Sequence, residues 1–254
     1  AMDINGVARK RKRACERFAD PAGTARDKHL FSAHRFSSFF CAFFSRFFRS
    51  ATEYLYTASQ NPQVSTVSLP LSADLALPES VAAVARFCPD PDVLINNAGV
   101  SLTGLFDKIT PAAAREMYEI NLFAPVMLTR ALLPAMLSRS GGCIINISSV
   151  FGESGGSCEV DYSAAKAGII GFTKALAKEV GPAGVRVNCI CPGVIDTDMN
   201  ASLSFDDVAS LSDDIPLMRL GSAEEVAGAA VFLASQAASY ITGAVIDING
   251  GWMG

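Results

Sequence analysis

The feature that most constrains this chain is a set of five short apolar runs separated by helically spaced segments. VSTVSLPLSADL (65–75), DVLINNAG (92–99), CIINISS (143–149), VRVNCI (185–190) and AVIDI (244–248) read as strands. Between them, residues 78–88, 111–138, 161–180 and 222–235 carry apolar residues at helical spacing. Residues 111–138 accommodate one long helix or two in succession. Ser222, with Glu225 three residues on, marks a helix start, because the hydroxyl and the carboxylate can each cap the other's backbone N–H. Strands alternating with helices predict an α/β fold, a doubly wound parallel sheet with its ligand at the strands' carboxyl ends.

Composition narrows the function. Half of the 254 residues are hydrophobic and 18% are charged, enough apolar content for a packed core. No continuous apolar run reaches the roughly 18 residues that span a bilayer. A formal net charge of −4 argues against a nucleic-acid partner. Both histidines, His29 and His34, lie within the first 50 residues, which excludes histidine catalysis or metal ligation in the body. The seven cysteines form no Cys-x-x-Cys pair, so no metal site is expected and the thiols read as small buried hydrophobes. Cys189 and Cys191 alternate along one strand and should share a face.

Tyr162 and Lys166 are four residues apart, on one face of a helix. Ser149 ends a strand thirteen residues before Tyr162, and Asn121 lies mid-way through a helical stretch. A phenol, with an ordinary pKa of about 10, is a poor acid at neutral pH. A nearby ammonium favours the phenolate and lets the proton go. A serine hydroxyl can hold a carbonyl oxygen on which negative charge develops. Together these groups can protonate an alkoxide as hydride reaches carbon.

NNAG at 96–99, ISS at 147–149, YSAAK at 162–166 and PG-x-I-x-T at 192–197 follow one another in the order and spacing of the short-chain dehydrogenase/reductases, which residues 65–254 resemble. The resemblance implies a single Rossmann-type domain. It makes Tyr162 the general acid, Lys166 the residue that lowers the tyrosine pKa and binds the nicotinamide ribose, Ser149 the group that polarises the carbonyl, and Asn121 the holder of a relay water. It places Asp74 at adenine, Asn97, Ala98 and Gly99 along the cofactor, and Pro192, Gly193, Ile195 and Thr197 around the nicotinamide. The polar segment after Thr197, to about residue 220, would be a mobile substrate loop. Within the family the body looks most like the bacterial 3-oxoacyl-[acyl-carrier-protein] reductases of fatty acid biosynthesis. SCEVDYSAAKAG followed by GVIDTDMNASLS looks closer still to the elongation factor P 5-aminopentanone reductases. Either way the implied substrate is a small-molecule or carrier-bound ketone, the assembly a homotetramer or dimer, and the location cytoplasmic. Two positions that are arginine in carrier-protein reductases align with Ser140 and Ala183, with Arg139 adjacent as a substitute.

The front end departs from this pattern. Residues 1–50 hold 11 basic and four acidic residues, and the remaining 204 hold 10 basic and 21 acidic. A family member should open with a buried strand and a glycine-rich turn through which the backbone approaches the cofactor pyrophosphate. Only Gly6 and Gly23 precede residue 99. Laying the fingerprint on residues 5–23 gives Gly6 the first glycine position and puts Lys10 and Lys12 at the other two. Arg9 then favours NADP(H) over NAD(H). Residues 1–64 thus form an atypical segment in front of the body at 65–254, and the first βαβ unit is degenerate. Phe36, Phe39, Phe40, Phe43, Phe44, Phe47 and Phe48 recur at helical spacing without an intervening acid. Four readings fit: a core helix, an organelle transit peptide that would put the protein in a matrix, membrane contact through 36–48, or a shifted reading frame. If this segment builds no dinucleotide turn, cofactor affinity should fall.

Overall fold

The computed structural model describes residues 30–35, 39–43, 67–197, 200 and 204–254. Seven strands form one sheet: β1 (Leu30–Arg35), β2 (Phe39–Phe43), β3 (Val67–Ser72), β4 (Val93–Asn96), β5 (Gly142–Ile147), β6 (Val185–Pro192) and β7 (Val245–Ile248), in the order β3-β1-β2-β4-β5-β6-β7. From β2 through β7 every neighbouring pair is parallel. The helices are α1 (Pro78–Phe87), α2 (Pro111–Tyr118), α3 (Ala124–Ser138), α4 (Phe151–Ser154), α5 (Val160–Val180), α6 (Phe205–Asp214) and α7 (Ala223–Ala234). This is the expected α/β Rossmann-like architecture.

Alternation along the strands sorts the core onto two faces. Leu94, Ile144, Val185 and Val187 pack with Leu128, Leu132 and Met136 of α3 and Ala177 and Val180 of α5. Val93, Ile95, Cys143, Ile145 and Ile190 face the other way, onto Val226, Ala227, Ala230 and Leu233 of α7. Cys189 and Cys191 share a face, as their spacing predicted, against Ile169 and Ile170. Cys88, Cys143, Cys189 and Cys191 are buried and form no disulfide, whereas Cys158 is disulfide-bonded. The Ser222–Glu225 capping box is present at the start of α7. Pro111–Ser138 is long and apolar enough to cross a membrane, yet its Met117, Ile120, Leu128, Leu132 and Met136 are buried inside the protein.

Two expectations change at the front of the sheet. β1 runs antiparallel to both β2 and β3, so a hairpin stands where a first βαβ unit was expected. Phe39, Phe40 and Phe43 lie on a strand paired with β4, which overturns the helical reading there, as core helix or membrane-lying helix. Phenylalanine suits a strand as well as a helix, and pairing along β4 decides between them. Phe36, Phe44, Phe47 and Phe48 lie outside the described residues, as do Gly6 and Arg9.

A buried polar ladder crosses the sheet. Asn96 on β4 is opposite Asn146 on β5. Its Nδ2 donates to Asn146 Oδ1 at 2.8 Å and to Thr129 Oγ1 at 3.1 Å, while Asn146 Nδ2 donates to Thr173 Oγ1 at 2.9 Å. Asn146→Ala orphans groups that have no access to water, so it should destabilise the fold by about 1–3 kcal/mol, read by urea denaturation.

Candidate active site

The carboxyl ends of β4, β5 and β6 converge on a cleft of about 670 Å³, its mouth included, lined by Asn97, Gly99, Ile147, Ser148, Tyr162, Lys166, Pro192, Gly193, Ile195, Thr197, Asn200, Ala223 and Val226. The structure therefore brings Asn97, Gly99, Tyr162, Lys166, Pro192, Gly193, Ile195 and Thr197 together as predicted. Ala98 is adjacent but buried in the core beside Leu94, as the alternation of a strand end requires. Asp74 stands apart: it is exposed just past the carboxyl end of β3, with β1 and β2 between that strand and β4, and its carboxylate accepts the Ala76 N–H at 3.1 Å. Ser149 is buried, with its hydroxyl beside the Tyr162 phenol of the lining and accepting the Phe151 N–H at 3.2 Å.

Tyr162 and Lys166 sit one turn apart on α5, with Lys166 Nζ 5.6 Å from the tyrosine ring centroid. Lys166 is only 4% exposed. Its ammonium donates to the Ile147 carbonyl at 3.0 Å, which leaves further N–H groups available to a ligand. Burial lowers its pKa from 10.5 to about 8. The phenol of Tyr162 moves the opposite way from expectation. Burial drives it up to about 12, and the Ser149 hydroxyl only partly opposes this. Desolvation penalises both charged forms.

Asn121 is 1% exposed and sits on a π-helical turn, Glu119–Phe123, between α2 and α3. Such a turn carries one residue more than an α-helical turn and re-aims its side chains. Asn121 thereby pairs with both backbone groups of Val100, donating to its carbonyl at 2.8 Å and accepting its N–H at 3.0 Å. A Cβ on Gly99 would stand 2.7 Å from Asn121 Oδ1 and 3.3 Å from Lys166 Nζ, so this glycine is required by space. Periodicity alone could not show the π turn, since the helical pattern runs through it.

Several contributors were not singled out from the sequence. The Ser148 hydroxyl donates to the Lys166 carbonyl at 2.8 Å. Asn200 Nδ2 donates to the Ile195 carbonyl at 2.7 Å and holds the strand-end loop closed on itself. The doubled serine of ISS was the available signal for Ser148; nothing marked Asn200. Arg139, beside Ser140, pairs with Asp90 and Asp92 and donates to the Pro91 carbonyl. These partners precede β4, at the opposite end of the sheet from the cleft.

The cleft fits the nicotinamide–ribose half of a dinucleotide. Asn97 Nδ2 is buried without a hydrogen-bond partner, a donor suited to a bound acceptor. Gly193 has no room for a side chain, because a Cβ would stand 2.8 Å from Asn249 Cα. On the pyrophosphate side, the strand beside β4 is β2, whose carboxyl end leads into residue 44. No glycine occurs between Gly23 and Gly99, so the sequence after β2 lacks the residue that lets a phosphate approach the backbone.

A sheet of this order with a Tyr–Lys pair at its strand ends defines a nucleotide-dependent reductase fold. A family model described as enoyl-(acyl carrier protein) reductase matches residues 49–253, and the chain belongs to the short-chain dehydrogenase/reductases, a family of NAD(P)-dependent oxidoreductases. It is 41% identical over 183 residues to an uncharacterized oxidoreductase of Bacillus subtilis (strain 168), YmfI, across 72% of this chain and 76% of that one. It is 47% identical over 160 residues to the 3-oxoacyl-[acyl-carrier-protein] reductase FabG of Aquifex aeolicus. That match covers 63% of this chain and 64% of the relative, just under two thirds of its length. Among solved structures, a Beutenbergia cavernae protein assigned as an NAD(P)-dependent gluconate 5-dehydrogenase, with NADP bound at low occupancy, superposes with a TM-score of 0.70 at 37% identity, over 72% of this chain and 76% of that one.

Two outcomes follow from this geometry. Lys166, whose pKa falls on folding, destabilises the folded state while charged. That penalty is complete below about pH 8 and is relieved as pH rises towards 10.5. Buried thiols with raised pKa values, Cys143 and Cys191, act the opposite way over the same range, so the lysine is read as a difference: between pH 8 and 10 the stability of the parent in urea should rise relative to that of Lys166→Met. Gly99→Ala should displace Asn121 and Lys166, leaving far-ultraviolet circular dichroism unchanged and lowering turnover by about tenfold or more.

Proposed function

We propose that this protein is an NAD(P)H-dependent carbonyl reductase acting on a 3-oxoacyl thioester or a similar carrier-bound ketone, with NADP(H) preferred. The single observation that carries the reading is the buried Tyr162–Lys166 pair beside a partnerless Asn97 amide, at the strand ends of a family reductase fold. Relatives named 3-oxoacyl-[acyl-carrier-protein] reductase at 43–47% identity support the substrate class. A neighbour with bound NADP supports the coenzyme.

In this reading the bound nicotinamide supplies the hydride. Tyr162, protonated at neutral pH, gives its proton to the substrate oxygen as charge develops there. The Ser149 oxygen already accepts the Phe151 N–H, so its own proton is free to be donated to the same oxygen. Lys166, fixed on the Ile147 carbonyl, holds the ribose hydroxyls and carries charge close to the phenolate that forms. Asn97 takes an acceptor of the cofactor, and Asn121 holds the Val100 loop and the π turn at the back of the site.

A second reading rests on the hairpin and the missing glycines: a protein that keeps the fold but binds no dinucleotide. Calorimetry with NADPH and NADH separates the two, since micromolar binding excludes the second. With a 3-oxoacyl thioester present, NADPH oxidation is expected to exceed NADH oxidation, and Tyr162→Phe should lower it about 10²–10⁴-fold. Unchanged turnover in Tyr162→Phe overturns the proposed mechanism.

A further inference from the structure

One carboxylate next to the reacting phenol has no part in the chemistry above. Glu159 precedes Tyr162 by three residues, one helical turn ahead of it, and its carbonyl accepts the Ser163 N–H at 2.8 Å as part of the first turn of α5. The half-buried carboxylate accepts from Thr103 Oγ1 at 2.7 Å and from Ser101 Oγ at 3.1 and 3.3 Å. The Gly104 N–H adds a bond to the Cys158 carbonyl at 2.8 Å. Ser101, Thr103 and Gly104 belong to the loop after β4, whose Val100 is held by Asn121. A continuous set of bonds therefore runs from the π turn, through this loop, to the start of the helix that carries Tyr162.

The charge itself is uncompensated. Among the described residues, no basic side chain forms an ion pair with Glu159. Two neutral hydroxyls hold it, although each alone is a modest partner for a buried carboxylate. A surface hydroxyl pair would serve equally well with a glutamine. What a carboxylate adds is a negative charge within reach of the Tyr162 phenol, on which its field acts.

We propose that Glu159 is a positioning residue of the reaction: through Ser101 and Thr103 it seats the loop that carries Val100 on the start of the helix of Tyr162, and it fixes one negative charge a helical turn ahead of the acid. The proposal rests on the reading of Tyr162 as the acid. A second negative charge close to Glu159 is disfavoured, so the phenolate is reached only at higher pH. That arrangement favours carbonyl reduction, which needs the protonated phenol, over alcohol oxidation, which needs the phenolate. Glu159 exchanges no proton with the substrate.

The other groups facing the phenol are known. Lys166 lies 5.6 Å from the ring on the same helix, and the Ser149 hydroxyl acts from the end of β5, favouring the phenolate. The Cys191 thiol acts from β6 in the same direction as Glu159. Tyr118 of α2 packs in the same cluster and donates to Asp161 at 3.2 Å. The groups facing Glu159 from the loop, Ser101 and Thr103, do not titrate in this range.

The test reads the phenol directly and needs neither cofactor nor substrate. Tyrosinate absorbance of the full chain, minus that of Tyr162→Phe, isolates Tyr162 from the other four of its five tyrosines. At a fixed pH of about 10.5, Glu159→Gln should raise the Tyr162 phenolate fraction about threefold, equal to a midpoint lower by about half a unit. The glutamine oxygen can still accept from Ser101 and Thr103, so the hydrogen bonds are kept while the charge is lost. Glu159→Asp, which keeps the charge, should titrate like the parent and gives the comparison if the glutamine variant folds poorly. An unchanged phenolate fraction in Glu159→Gln, or an aspartate variant that titrates like the glutamine one, overturns the proposal. In active protein the basic limb of alcohol oxidation should move to lower pH in Glu159→Gln. A purely structural role would instead scale the rate equally at every pH. Absence of NADPH turnover would defeat the reductase reading and leave the titration intact.

Discussion

The site depends on the side-chain amide ladder that joins β4 to β5. Thr129, Asn96, Asn146 and Thr173 form one chain of buried hydrogen bonds that reaches from α3, across two strands, to α5. Each of these groups is nearly or wholly inaccessible to water, so a one-residue slip of either strand would strand several of them at once. The next residue on β4 is Asn97, with its free amide. The next on β5 is Ile147, whose carbonyl fixes Lys166. The ladder thus sets the register in which the cofactor-side donor and the lysine face each other, and Thr173 ties the helix of Tyr162 and Lys166 to the same frame.

Within that frame, burial rather than pairing governs the ionisable groups. Desolvation disfavours the charged forms of both Tyr162 and Lys166, which pushes their pKa values apart, to about 12 and about 8. A protonated phenol and a readily neutralised amine suit a site that must deliver a proton only when a new negative charge appears beside it. The cations elsewhere are committed: Arg139 is spent on the aspartates before β4, at the far end of the sheet, and Arg219 on Glu225 at the start of α7. The loop between Val100 and Gly104 then connects Asn121 to Glu159, so the π turn and the catalytic helix do not move independently.

Much of this was legible in the residues themselves. The Tyr162–Lys166 spacing, the strand-end motifs and the Ser222–Glu225 cap are local, and a helix or a strand end places such residues with little help from the rest of the chain. Asn121 was legible as a residue type but not as a geometry, because a π turn arises from packing between α2, α3 and the Val100 loop. The phenylalanine spacing around residue 40 misled, because helix and strand are equally open to it until β4 supplies hydrogen bonds along one edge.

The sequence by itself determined the alternation of strands and helices from residue 67 onward, the two-faced core and the spacing of Tyr162 and Lys166 on one helix face. These follow from periodicities of two and 3.6 and from side-chain chemistry that no neighbour can change. Only the tertiary structure decided the rest. It turned the front of the sheet into a hairpin, paired Arg139 with the aspartates before β4, raised the phenol that a lysine was expected to lower, and brought a glutamate on one element to hydroxyls on another. Each of these depends on distances between segments remote in the chain and on how much water their packing excludes, and neither quantity is written in any local stretch of residues.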